Sequence, residues 1–262
     1  MEPAHGQFEI NYEPTWGILG ADWPFIIRSA LKEQASQAGL VANFMSRPWP
    51  KDPETSLHCG NGAHFNHSLW SLDGANNLFH DEGQPDQISQ LARHWVAGLV
   101  KHTPALTALL CPTVNCYRRM YGPWAPSVPS WGVDDRYSTY RVKNFGRSAT
   151  YVENRVPSGL VNPYLALAAC VCAGLDGIVN RLEAPPQRQG GELQRVPATL
   201  QESLQALERD QVMRRGLGEA FVEWYCALKR QGEISMLPQS DMKVDDDAEA
   251  YKAEMEMYGY FM

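Results

Sequence analysis

The chain has 262 residues, 44% hydrophobic and 20% charged, enough to bury the core of one large globular domain or slightly more. A formal net charge of -7 with no run of Lys or Arg argues against a nucleic-acid partner and leaves small molecules or other proteins. No stretch reaches the ~20 apolar residues of a membrane span; the most apolar one, 160–178, is interrupted by Asn162, Pro163 and Asp176.

The start, MEPAHGQFE, lacks a basic region followed by an apolar one, so no secretory leader is expected. Residues 6–12 read as a strand, with Phe8, Ile10 and Tyr12 on one face and Gln7, Glu9 and Asn11 on the other. Asp22 is placed as the cap of a helix through Ala38 that Gly39 stops, and 40–45 as a second strand. After the turn CGNG at 59–62, residues 64–69 read as a strand. Ile88, Leu91, Ala92, Trp95 and Leu99 recur at helical spacing behind a cap near Asp86, and Pro104 opens a further short helix. Loops are expected over 112–148, with short strands around Ser130 and Tyr140. A strand through Glu153 and Arg155 runs into a buried helix over 162–180. A Pro-, Gly- and charge-rich linker fills 183–197, followed by helices after Thr199, at 221–228 and at 248–258. Six cysteines (59, 111, 116, 170, 172 and 226) without a CxxC pair suit a reducing compartment, and a cytoplasmic location is expected. No internal repeat occurs.

The chemistry lies on the polar strand faces. In a strand, residues i and i+2 share a face, so Glu153 and Arg155 address one place. Glu9, His64 and Glu153 sit on three separate expected strands, and on one sheet face they would form an oxygen-and-nitrogen site for a divalent ion. Arg136, Arg141 and Arg155 are donors suited to carboxylate or phosphate. The alternative for each is a solvated surface charge or ion pair.

The order of the motifs resembles the glutamine synthetase family over nearly the whole chain. GQFE at 6–9 is similar to that family's GQxE, GNGAHFNHSL at 60–69 to its GSGxHxHxSL, NCYRR at 115–119 to its NxYKR, and VENRVPSGLVNPYLALAA at 152–169 to its IExRxPxxxxNPYLALAA. The resemblance implies an α+β fold, a curved, largely antiparallel sheet flanked by helices. It implies Glu9, His64 and Glu153 as metal ligands, Arg119, Arg136 and Arg155 as binders of substrate carboxylate or transferred phosphate, and Ser68 and Arg141 as nucleotide contacts. The family's reaction phosphorylates glutamate from ATP with divalent metals before ammonia displaces the phosphate. It further implies a homo-oligomer of stacked rings, a dodecamer, tied together by the C-terminal tail. On that pattern 1–182 is the catalytic-domain core with its N-terminal part missing, 183–197 a linker, and 198–262 a helical part with an intersubunit tail. The chain, beginning just before GQFE, is expected to be the C-terminal portion of a longer protein.

Three departures from the family pattern change the expected function. Where the family's flap PGxEAP carries a glutamate, this chain has Trp124 in RRMYGPWAP, and an indole accepts no proton. The second histidine of the HxH pair is Asn66, with His67 expected to face the other side of the strand, and the arginine two positions before Glu153 is Tyr151. Together with PQSDM at 238–242 and the ending MYGYFM, these losses favour a non-catalytic member of the family. Such a member would be a structural or chaperone-like component of lens cells partnered with intermediate filament proteins, with binding of Mg or Mn and of ATP weakened or lost. The alternative is an ATP-dependent ligase joining glutamate to ammonia or another amine.

Overall fold

The computed structural model describes residues 6–48, 60–120, 122, 124–187, 195–237 and 248–259. Its centre is a four-stranded sheet of β1 (Phe65–His67), β2 (Trp131–Val133), β3 (Tyr140–Asn144) and β4 (Thr150–Asn154), in the order β1-β4-β3-β2. β4 pairs antiparallel with β1 and β3, while β2 and β3 run parallel. The fold is thus α+β with a largely antiparallel sheet, and β4, which carries Glu153, is an interior strand.

Alternation along the strands sends Phe65, His67, Tyr140, Val142, Val152 and Asn154 to one face, where the apolar members join the main core against α2 (Gln90–Leu110). Ser89 caps α2 by accepting from the Ala92 amide; Asp86, expected as the cap, instead accepts from the Ile88 amide and pairs with Arg93. Pro104 lies inside α2 and opens no helix of its own. On either side of it the Thr103 and Thr107 hydroxyls donate to the carbonyls of Leu99 and Thr103, and the helix runs on to Leu110.

The helix α4 (Pro163–Val179) begins as expected, with Asn162 accepting from the amides of Tyr164 and Leu165 and proline at a first-turn position. It crosses α2 at backbone contact: a Cβ on Gly177 would stand 1.9 Å from the His94 carbonyl oxygen, and one on Gly174 would stand 2.3 Å from the Trp95 ring. Only glycine permits that approach.

The expected strands at 6–12 and 40–45 do not form. Phe8, Ile10 and Tyr12 are exposed, and no described strand lies beside them. At 40–45 the Asn43 side chain accepts from the Met45 amide, a local turn bond that replaces ladder pairing. α1 (Leu19–Gln37) places Asp22 within its first turn rather than at the cap, and Gly39 with φ 70° ends the helix.

Short helix α3 (Val114–Tyr117) lies in the expected loop region. The C-terminal helices are α5 (Leu200–Arg209), α6 (Gln211–Leu217), α7 (Glu219–Gly232) and α8 (Ala248–Tyr258), with a 3-10 turn at Ile234–Met236. Thr199 caps α5 by accepting from Glu202, whose carboxylate returns a bond to the Ala198 amide. Leu200, Leu204, Leu207, Met213 and Val222 join the core formed by α2, α4 and the sheet.

An intersubunit tail would project from the body, and α8 does not. Glu254 is buried and receives Nε and Nη2 of Arg118 at 2.7–2.9 Å. Tyr258 donates to Glu233 at 2.5 Å and is 1% exposed. A buried carboxylate needs its partner, and that partner is on the same chain. PQSDM and the last three residues lie outside the described residues. Among the described residues no helix is long and apolar enough to cross a membrane.

Candidate functional site

The second sheet face is polar. β-register puts Arg141 and Asn66 opposite Glu153 on either side, and Lys143 opposite Tyr151. Glu153, 4% exposed, is the hub: Oε1 takes Arg155 Nη1 at 2.6 Å, and Oε2 takes Arg141 Nη1 at 3.1 Å with Lys143 Nζ at 3.5 Å. Arg141 also holds Asp134. Glu153 and Arg155 therefore address one place, as the alternation predicts, but as a buried cluster rather than a solvated edge pair.

His64 places Nδ1 at 3.2 Å from Glu153 Oε1. Burial, followed by the charge of Arg155, holds its pKa below the usual histidine range, against the opposing pull of Glu153 and Glu9. Burial alone would push the Glu153 carboxyl up, but the charges of His64, Arg155 and Lys143 and the Arg155 hydrogen bond outweigh it, and it lies below the usual glutamate range. Glu9 reaches this group through its charge on His64. Among the described residues no set of three or more His, Cys, Asp or Glu is arranged to hold a metal ion. Both Glu153 oxygens are committed to cations, so the donor set does not fit a metal as it stands.

Arg119 is buried beneath the chain that follows β4, its Nη2 donating to the carbonyls of Arg155 and Val156 at 3.0 and 2.8 Å, while Nε has no partner. The GNG motif makes room for it: a Cβ on Gly62 would stand 2.1 Å from its Nη1 and one on Gly60 2.7 Å from its Cγ. Arg136 is exposed on the β2–β3 connection and takes no part in the ion pairs around Glu153. Ser68 accepts from the Trp70 indole at 2.9 Å. His67 faces the core side of β1, as its spacing predicts, and accepts from Trp95 at 2.9 Å.

Trp124 has a left-handed backbone, φ 66°, and its carbonyl accepts from Arg155 Nη2 at 3.4 Å. Its exposed ring stacks on Tyr137, centroids 6.1 Å apart and planes 19° from parallel. Two members of the site were not anticipated from sequence, Lys143 and Asp134. Lys143 could have been found by the same i, i+2 alternation that links it to Arg141 on β3; Asp134 lies outside any strand and carried no signal.

The family model described as "Glutamine synthetase, catalytic domain" matches residues 1–248. The chain is similar to lengsin of Homo sapiens, 36% identical over 235 residues, covering 86% of this chain and 44% of that protein. It is similar to glutamate–methylamine ligase of Methyloversatilis universalis, 37% identical over 244 residues, covering 85% of this chain and 52% of that protein. A solved structure titled as a GmaS/ADP complex matches with a TM-score of 0.71 at 33% identity, covering 82% of this chain and 50% of that one. The chain thus spans about half the length of the relatives it matches.

Proposed function

The chain belongs to the glutamine synthetase catalytic-domain family, and we propose that it supplies the phosphate- and carboxylate-binding face of an ATP-dependent ligase joining glutamate to an amine. The observation that carries this reading is the Glu153 cluster. Around that carboxylate Arg119, Arg141, Lys143 and Arg155 place four cations against three carboxylates, Glu153, Asp134 and Glu9, leaving net positive charge on a sheet face. Such a site favours anions, and its guanidiniums, fixed by Glu153, meet carboxylate or phosphate without further ordering. ATP, when bound, supplies the phosphoryl group that activates the glutamate carboxylate.

Arg155 would hold the substrate carboxylate and Arg141 the nucleotide phosphates. Arg119 braces the backbone of Arg155 from below. Ser68 and Arg136 remain proposed contacts to nucleotide and to carboxylate or phosphate. His64, Glu153 and Glu9 are the residues the family pattern would offer a divalent ion, and no step is routed through one. Trp124 takes no proton, but two stacked aromatic rings beside Arg155 offer a face that attracts an alkylammonium group by its quadrupole. The alkyl part of an organic amine, buried against those rings, gains a hydrophobic contribution that ammonium lacks, and that favours an organic amine over ammonia. The names of two relatives, a glutamate–methylamine ligase and a GmaS/ADP complex, agree with the reading.

A second reading is favoured by Trp124 at the flap-acid position and by the similarity to lengsin. In it the scaffold is kept, catalysis and ATP binding are weakened or lost, and the protein works as a cytoplasmic ring-forming homo-oligomer attached to intermediate filament proteins. Steady-state phosphate release from ATP by the full-length protein separates the two. Release that requires both glutamate and methylamine, and that exceeds release with ammonium, is expected; none with any amine would overturn the ligase reading in favour of the second.

A further inference from the structure

We infer that Lys143 is a phosphate-binding residue of the Glu153 site, held in position by the ring of Tyr151; the inference rests on the ligase reading above. Three observations carry it. Lys143 and Arg141 are two apart on β3 and so share the polar face, and β-pairing sets Lys143 directly opposite Tyr151. The ammonium lies over the Tyr151 ring, 5.6 Å from its centroid, which restrains a flexible stem at the cost of no donor. Its contact to Glu153 Oε2 is 3.5 Å, outside good hydrogen-bond range, and that oxygen already takes Arg141 at 3.1 Å.

Lys143 is therefore a poorly satisfied cation, a point charge with three donors, beside two guanidiniums whose planar forks suit carboxylates. A tetrahedral phosphate has the charge and the oxygens to use such donors. Were Lys143 only a counter-charge to Glu153, it would be redundant with Arg141 and Arg155, and its ring-held position would have no use.

The geometry also supplies the control. Position 151 faces the same side as Lys143, so an arginine there brings a cation to the same place. ADP, adenosine and inorganic phosphate are titrated calorimetrically into the full-length protein and its variants. Lys143→Met and Lys143→Gln should each weaken ADP about 10–100-fold, the worth of one charge-assisted hydrogen bond, while adenosine affinity stays unchanged. Adding Tyr151→Arg to Lys143→Met should recover most of the ADP and phosphate affinity, and no recovery would show that a cation at that place is not what the phosphate uses. Wild-type affinity for ADP in both neutral variants overturns the inference and leaves the ligase reading standing. Absence of ADP binding in the wild-type protein overturns both.

Discussion

Among the described residues, two buried clusters join more than two charged side chains, one around Glu153 and one around His102, and their charge balance separates them. Around Glu153 the cations outnumber the carboxylates. Around His102, on α2, the count closes: Nδ1 meets Asp210 at 2.5 Å, Nε2 meets Asp176 at 2.9 Å, and Lys101 meets the same Asp176 oxygen at 2.8 Å. A protonated His102 with Lys101 matches the two aspartates. Asp176 stands on α4 and Asp210 between α5 and α6, so the balanced cluster ties four helices together and has nothing left for a ligand. The unbalanced cluster sits on the one sheet face that carries no apolar core. Burial of charge alone does not mark a functional site; an uncompensated excess does.

The largest effect expected from this contrast is on stability. His102→Ala should cost about 3 kcal/mol in denaturant unfolding, because two aspartates lose a common partner, and should leave ADP affinity unchanged. A loss under about 1 kcal/mol would show that the helices do not depend on the cluster. Arg155→Met should do the opposite, weakening glutamate about 10–100-fold by calorimetry with little change in melting temperature. Equal loss of both would remove the distinction.

The clusters also differ in pH response. Burial opposes charging His102, but its bonds to Asp210 and Asp176 outweigh it and raise the pKa above the usual histidine value. Its contribution is therefore complete below the unfolded value of about 6.5 and is lost as pH rises through the folded pKa. The lost proton leaves one of the two aspartates without its donor. Despite burial, Asp176 is held below the usual range by Lys101 and His102, and Asp210 by His102 and the Met213 amide, so their share is present above about pH 4 and lost as pH falls through the depressed values. Melting temperature should decline from mildly acidic to alkaline pH, and His102→Gln should flatten that decline; an unchanged slope in the variant would assign it elsewhere. The smallest effect is expected at Trp124. Trp124→Glu should restore an acid beside Arg155 and move the preference from methylamine toward ammonium in the phosphate-release assay, and an unchanged ratio would free Trp124 of any role in amine choice.

Much of this was readable from residue order. The period-2 spacing of Glu153 and Arg155 placed both on one face, the starts of α4 near Asn162 and of α5 after Thr199 were legible, and the turn at Gly39 closed α1. What failed did so for want of a partner. Residues 6–12 alternate cleanly, yet a strand exists only against another strand, and none of those described lies beside them. Pro104 reads as a helix start from its own fixed φ, yet the packed helix α2 runs through it to Leu110. The C-terminal residues were expected to form an intersubunit tail because nothing local announces that Arg118, more than a hundred residues earlier, holds Glu254. The His102 cluster was invisible for the same reason, its members being spread over α2, α4 and the junction of α5 with α6. Within the candidate site Glu153, Arg155, Arg141 and His64 converge, Glu9 acts through its charge, and Arg136 stands apart. Lys143 gains meaning only once register sets it across from Tyr151.

The most direct measurement is a parallel calorimetric titration of ADP into the full-length protein carrying Arg141→Met or His102→Gln. The account predicts that the first loses affinity about 10–100-fold, since a guanidinium on the unbalanced face is gone, and that the second binds as the wild type does. Equal affinity in the two variants, or a loss confined to His102→Gln, would contradict it.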